Sequence, residues 1–127
     1  MKLFKDSIFW VEIAVADFDR AKKFYSTIYD YDMPDIMAGP NQMGFLPHDR
    51  DAGGIGAAIV KGADYTPANI GIKIVLNGGN DLGDVLDRVE KAGGKVIMPK
   101  KQVSPSFGCL GAFEDTEGNV IQLHSMK

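Results

Sequence analysis

Glu12 is the residue whose type and surroundings point first to chemistry. It interrupts an otherwise apolar run at residues 8–15, Ile-Phe-Trp-Val-Glu-Ile-Ala-Val. A carboxylate set among an indole and aliphatic side chains has its charged form disfavoured by desolvation, which suits a general acid or base near neutral pH. Glu12 reads equally well as half of a buried ion pair with Lys73 or as the acceptor of a backbone hydrogen bond. His124 is a candidate proton shuttle, or else an exposed edge-strand residue near the end of the sequence. Gln122 offers its amide to a substrate oxygen or to a neighbouring strand. Trp10 provides a face for a planar ligand, or a core side chain. Phe107 lies in a stretch, 99–108, long enough to be either a lid over a ligand or a solvated hairpin.

Other residue types carry less. His48 sits in an Asp- and Gly-rich loop at 47–54 and reads as a solvated turn. Cys109 has no CxxC partner and reads as a small buried hydrophobe. The acidic run at 115–119 has turn spacing that a hairpin explains without calcium. The pairs Gly53-Gly54 and Gly78-Gly79 do not follow the strand-to-helix pattern of a phosphate loop.

The elements that must position these residues are bounded by composition. The chain has 127 residues, 17 Asp plus Glu, 14 Lys plus Arg and 45% hydrophobic residues. That is the profile of one globular domain, which buries roughly two thirds of its unfolded surface and needs no disulfide or structural metal. The single cysteine makes the cytoplasm the expected location. A net charge of −3 with scattered lysines lacks the basic stripe of a nucleic-acid binder. No apolar run is long enough to span a bilayer, so a membrane partner is not expected.

Fifteen glycines and six prolines cut the chain into short segments, predicting several strands and few helices. One helix is expected from Asp17 as N-cap to about Tyr29, with Phe18, Ala21, Phe24, Tyr25 and Ile28 on its apolar face. A second should begin near Asn80 or Asp81 and stop at Gly93-Gly94, burying Leu82, Val85, Leu86, Val89 and Ala92. The two faces overlay at a shift of 64, and the strand-like runs before them, 9–15 and 70–76, overlay at a shift of 61. Further strands are expected around 44–46, 55–61, 95–98, 110–114 and 120–123, while 32–41 is too irregular to assign.

The chain thus reads as one unit written twice: a first module over about 6–61, a linker over 62–69 and a second module over about 70–125. Alternation along the strands puts Ile8, Trp10, Glu12 and Ala14 of the first strand, and Gly71, Lys73, Val75 and Asn77 of its counterpart, on the face opposite the helix-packed one. Gln122 and His124 share the inward face of the last strand. The 61-residue shift makes Glu12 and Lys73 equivalent positions.

Several motifs then carry a resemblance. Trp10-Val11-Glu12-Ile13, Asp17-Phe18-Asp19-Arg20-Ala21 with Phe24-Tyr25, residues 65–67, residues 92–96, and residues 113–119 with Ile121, Leu123 and His124 resemble the vicinal-oxygen-chelate superfamily of glyoxalases, bleomycin-resistance proteins and extradiol dioxygenases. The resemblance implies an α+β fold of two βαβββ modules curled around a shared cavity, and a homodimer. It also implies, for the enzymes, a divalent metal held by four side chains from the first and last strands of each module. Here those slots hold Trp10, Gly56 or Ala58, Gly71 or Lys73, and Gln122, none an anionic or imidazole ligand, so no metal cofactor is expected.

Three functions follow as expectations. The first is a metal-independent protein that binds a small, partly apolar molecule, with Trp10, Glu12, Lys73, Gln122, His124 and Phe107 around it. The second is a glyoxalase-like lyase or isomerase with Glu12 as base and Lys73 or Gln122 stabilising an enolate. The third is a metal enzyme with a displaced site using Glu12 and His124.

Overall fold

The computed structural model describes every residue from Met1 to Lys127. Two four-stranded mixed sheets carry the chain. The first holds β1 (Val11–Ala14), β2 (Asp35–Ala38), β3 (Asn41–Phe45) and β4 (Ala57–Lys61), with α1 (Phe18–Ile28) after β1. The second holds β5 (Val75–Asn77), β6 (Lys95–Ser104), β7 (Gly108–Glu114) and β8 (Val120–Ser125), with α2 (Leu82–Leu86) after β5. The strand orders are β1-β4-β3-β2 and β5-β8-β7-β6. The same βαβββ path is therefore drawn twice, each first strand pairing in parallel with the last of its sheet.

Both helices start where an aspartate side chain can accept a free backbone N–H. Asp17 caps α1 by accepting from Arg20, and Asp81 caps α2 by accepting from Gly83. The expected faces are the buried ones: Phe18, Ala21, Phe24, Tyr25 and Ile28 on α1, and Leu82, Val85 and Leu86 on α2. These join Ile13, Ile59, Phe113, Ile121 and Leu123 in one core drawn from both halves. Fully burying side chains of this kind contributes about 1.5–3 kcal/mol each.

Regular structure is shorter than the sequence predicts in three places. Phe9 is 92% exposed, and β1 begins only at Val11, opposite the first residue of β4. In the second module the chain bends at 69–72 instead of running straight, leaving Ile70 and Ile72 82% and 93% exposed. There Gly71 takes a φ of +108°, a left-handed conformation open to glycine. Past Leu86 the second helix continues as irregular turns up to Gly93, mixing short bonds such as Arg88 N–H to Val85 O with a helical one from Ala92 N–H to Arg88 O. Gly83, Asp84 and Asp87 are poor helix formers, and Val85 and Val89 are β-branched, so packing rather than propensity holds this segment. The edge strand β2 falls in the stretch left unassigned; all four of its residues are exposed, so no apolar alternation marks it. The 99–108 stretch is a hairpin, with β6 running through to Ser104 and β7 starting at Gly108.

The register also corrects the internal alignment. Val15 N–H donates to Val60 O and Gly78 N–H to His124 O, closing the two parallel pairs in the same way. Val15 thus matches Gly78, a shift of 63 instead of 61, because the glycine-rich insert before α2 absorbs one residue rather than three. Lys73 is then the counterpart of Trp10, and Val75 that of Glu12. An offset of two residues preserves strand parity, so the facing of these side chains is unchanged.

The halves are tied together by the turn between β7 and β8. Buried Asp115 accepts from Tyr25 O–H (2.7 Å), Asn119 Nδ2 (2.9 Å), and the backbone N–H groups of Glu117 (2.8 Å) and Asn119 (2.9 Å). Glu117 reaches the start of α1, accepting from the N–H groups of Ala16 and Asp17 and from Arg20 Nε at 2.8 Å. Asn119 Nδ2 also donates to Ala14 O. A packing contact reinforces the junction: Phe24 of α1 lies over Gly94, where a Cβ would stand 2.6 Å from Phe24 Cε1 and from Glu114 O. Gly94→Ala is expected to cost about 1–2 kcal/mol through this overpacking. Urea unfolding checks it; a midpoint equal to that of the parent would show that Phe24 yields freely.

Candidate functional site

Where β1 and β5 face each other without hydrogen bonds, the two sheets leave a cleft of about 670 Å³. Ile8, Trp10, Val11, Glu12, Ile55, Ala57, Ile72, Lys73 and Ile74 are among its walls. The lining is mainly apolar, with Glu12 and Lys73 as its charged members.

Glu12 is exposed rather than sunk among apolar neighbours, so the desolvation expected from its sequence surroundings is absent. It is instead held from two sides: Tyr65 O–H donates to Oε1 at 2.5 Å and Trp10 Nε1 to Oε2 at 3.3 Å. The hydrogen bond to Glu12 is the chief reason that the Tyr65 phenol is held above its usual pKa. Tyr65 thus keeps its proton and fixes the carboxylate. No ion pair joins Glu12 to Lys73; the three ion pairs are Arg20–Glu117, Lys22–Asp35 and Lys100–Asp81. Tyr65 was invisible as a site residue in the sequence, since it lies in the aperiodic linker 53 residues from its partner.

Trp10 stands edge-on to Phe45, ring centroids 6.1 Å apart. Its ring and that of His48 fill the space over Gly56, where a Cβ would lie 2.7 Å from Trp10 Cζ3 and 2.9 Å from His48 Nδ1. His48 is therefore exposed but packed against the site, not a free turn residue. Beyond Trp10 it lines a second hollow of about 350 Å³ with Tyr31, Phe45 and Arg50, among others.

The remaining predicted residues lie elsewhere. Gln122 is half-buried on β8, in register with Val75 and Ala112, outside the residues that line the cleft. His124 lines a separate depression with Asn77, Asn80 and Ser125. Its Nε2 lies 2.6 Å from Phe107 O, and the two rings meet edge to face at 5.0 Å. Trp10, Glu12 and Lys73 are thus brought together, while Gln122, His124 and Phe107 are not. Glu12 and His124 do not share a cavity.

The family model for the glyoxalase/bleomycin resistance protein/dioxygenase superfamily matches residues 7–123. The chain belongs to this superfamily. Solved structures share its fold at low identity. A glyoxalase I variant from Zea mays superposes with a TM-score of 0.68 at 16% identity over 94% of this chain and 44% of its own. The chain therefore spans less than half the length of that enzyme. TnmS3, an antibiotic-binding protein from Streptomyces sp. CB03234, gives a TM-score of 0.65 at 21% identity, covering 97% of this chain and 98% of its own. The fosfomycin resistance protein FosX from Listeria monocytogenes gives 0.65 at 14%, covering 96% and 94%. No curated protein matches the sequence.

The superfamily's metal chemistry needs a donor set that this fold member lacks. The corrected register resolves the four slots to Trp10, Ala58, Lys73 and Gln122: an indole, a methyl, an ammonium and an amide. Hard or borderline divalent cations want carboxylate and imidazole donors. Nowhere in the structure do three His, Cys, Asp or Glu side chains converge to hold an ion. These residues do not fit the superfamily's cation.

Proposed function

We propose that this protein binds a small, partly apolar molecule in the cleft between β1 and β5, without a superfamily-type metal. The observation that carries the reading is the cleft itself. Its volume of about 670 Å³ is of ligand size, its wall is apolar, and one carboxylate is fixed in place by Tyr65 and Trp10. Apolar surface supplies affinity and a few oriented polar groups supply selectivity. Gln122, His124 and Phe107 stand outside the wall and contribute to it indirectly at most.

The protein works as a homodimer in this reading. Ile36 and Met37 on the edge strand β2, with Val103 and Phe107 on the β6–β7 hairpin, leave apolar side chains 47–64% exposed, and such surface favours a partner. Light scattering after gel filtration checks this: a mass near 13.8 kDa at micromolar concentration would refute the dimer. No helix is long and apolar enough to cross a membrane.

The test of binding is a thermal-shift screen against a chemically diverse library. A ligand present at a hundred times its Kd stabilises the folded state by about 2.7 kcal/mol, which raises Tm by several degrees in a domain of this size. Trp10→Ala is expected to erase that rise and, because the ring packs against Phe45 and His48, also to lower the unliganded Tm. A library that moves Tm for no compound would overturn the reading.

A further inference from the structure

We infer that the ligand of this cleft is amphoteric, carrying a cationic amine at one end, an anionic oxygen group at the other and an apolar spacer between. This rests on the small-molecule reading above. The cleft wall carries two opposite charges, Glu12 and Lys73, that stand apart and form no ion pair with each other. Three other carboxylates in the molecule do capture a lysine or arginine.

The two charges also differ in how they are prepared. Each oxygen of Glu12 accepts one neutral donor, Tyr65 O–H on Oε1 and Trp10 Nε1 on Oε2. That fixes the carboxylate's direction, leaves its negative charge intact and keeps a lone pair on each oxygen for an incoming N–H. Lys73 makes no hydrogen bond and stands exposed beside the irregular entry to β5, where its long stem can follow an anionic group of varied position. Ile8, Ile55, Ile72 and Ile74 offer hydrocarbon to the spacer. A rigid acceptor, a mobile donor and an apolar bed select a molecule with both charges over one with either alone.

The experiment uses para-aminomethyl benzoate and its biphenyl homologue, each beside its amine-only, carboxylate-only and uncharged parents, titrated calorimetrically into the full protein. At least one zwitterion is expected to bind about tenfold more tightly than either singly charged parent. Glu12→Gln should bring that zwitterion down to its carboxylate-only parent, and Lys73→Gln down to its amine-only parent. Tyr65→Phe, which keeps the charge and frees the carboxylate, should weaken amine-bearing compounds alone. Equal affinity across each set overturns the amphoteric assignment and leaves the cleft as a hydrophobic binding site. No binding by any member at millimolar concentration overturns the assignment together with the site. Thermal unfolding of each variant separates a binding loss from a folding loss.

Discussion

Asp115→Ala is expected to destabilise the protein by about 3–4 kcal/mol, the largest single effect predicted here. The wild-type carboxylate is buried and accepts four hydrogen bonds, three of them from its own turn and one from Tyr25 on α1 of the other half. Truncation leaves the fully buried Tyr25 hydroxyl without an acceptor, together with the N–H groups of Glu117 and Asn119. Burial, and after it the Asp115 carboxylate, holds the Tyr25 phenol well above its usual pKa, so Tyr25 stays a donor far into the alkaline range. Tyr25→Phe, which removes donor and need together, should cost distinctly less, and on that background Asp115→Ala should cost less than in the parent while still leaving the Glu117 and Asn119 N–H groups without their acceptor. Urea denaturation of the two single variants and the double variant measures this coupling. Additive losses would show that the two groups do not depend on each other.

Glu117→Gln should lower stability by about 2–3 kcal/mol at pH 7 and flatten the acid side of the stability profile. Burial alone would raise the carboxyl's pKa; hydrogen bonds from Arg20, Asp17 N–H, Thr116 and Ala16 N–H outweigh it and hold it at about 2, against an ordinary 4.5. A folded pKa below the unfolded one means that the ionised form is the stabilised one. The contribution is present above pH 4.5 and drains away as pH falls toward 2. Full conversion of that shift gives about 3 kcal/mol, and the half-exposed Arg20, screened by water, trims it. The wild type should therefore lose more stability between pH 6 and pH 3 than the variant does. Parallel profiles for the two proteins would place the acid sensitivity elsewhere.

Both predictions concern a turn whose local form was legible and whose reach was not. Asp115-Thr116-Glu117-Gly118-Asn119 reads as a turn from its own residues. Nothing local in it says that Glu117 will clasp the start of a helix about 100 residues earlier. The same contrast runs through the fold. Helix faces and strand parity were legible because burial is periodic along the chain. Ile13 and Val15 are buried while Trp10 and Glu12 face the cleft, and Ile121 and Leu123 are buried while Gln122 and His124 are not. Strand length was not legible, since Phe9 and Ile72 carry strand-like side chains but have no neighbouring strand to bond to. In the site, parity put Trp10, Glu12, Lys73, Gln122 and His124 on inward faces, and the 99–108 stretch added Phe107 as part of a lid or a hairpin. The structure keeps Trp10, Glu12 and Lys73 there, and sends His124 and Phe107 to each other. Tyr65 entered from the linker, where no pattern announces a long-range partner.

Trp10 is the only tryptophan in the chain, and it stands on the cleft wall with its N–H on Glu12. Its ultraviolet emission is therefore a built-in optical gauge of that one place. Displacing water from the indole would shift the emission to the blue, and a charged or aromatic guest would quench it. Excited at the red edge of the ultraviolet band, where the four tyrosines scarcely absorb, the indole lets occupancy be followed on the unlabelled protein.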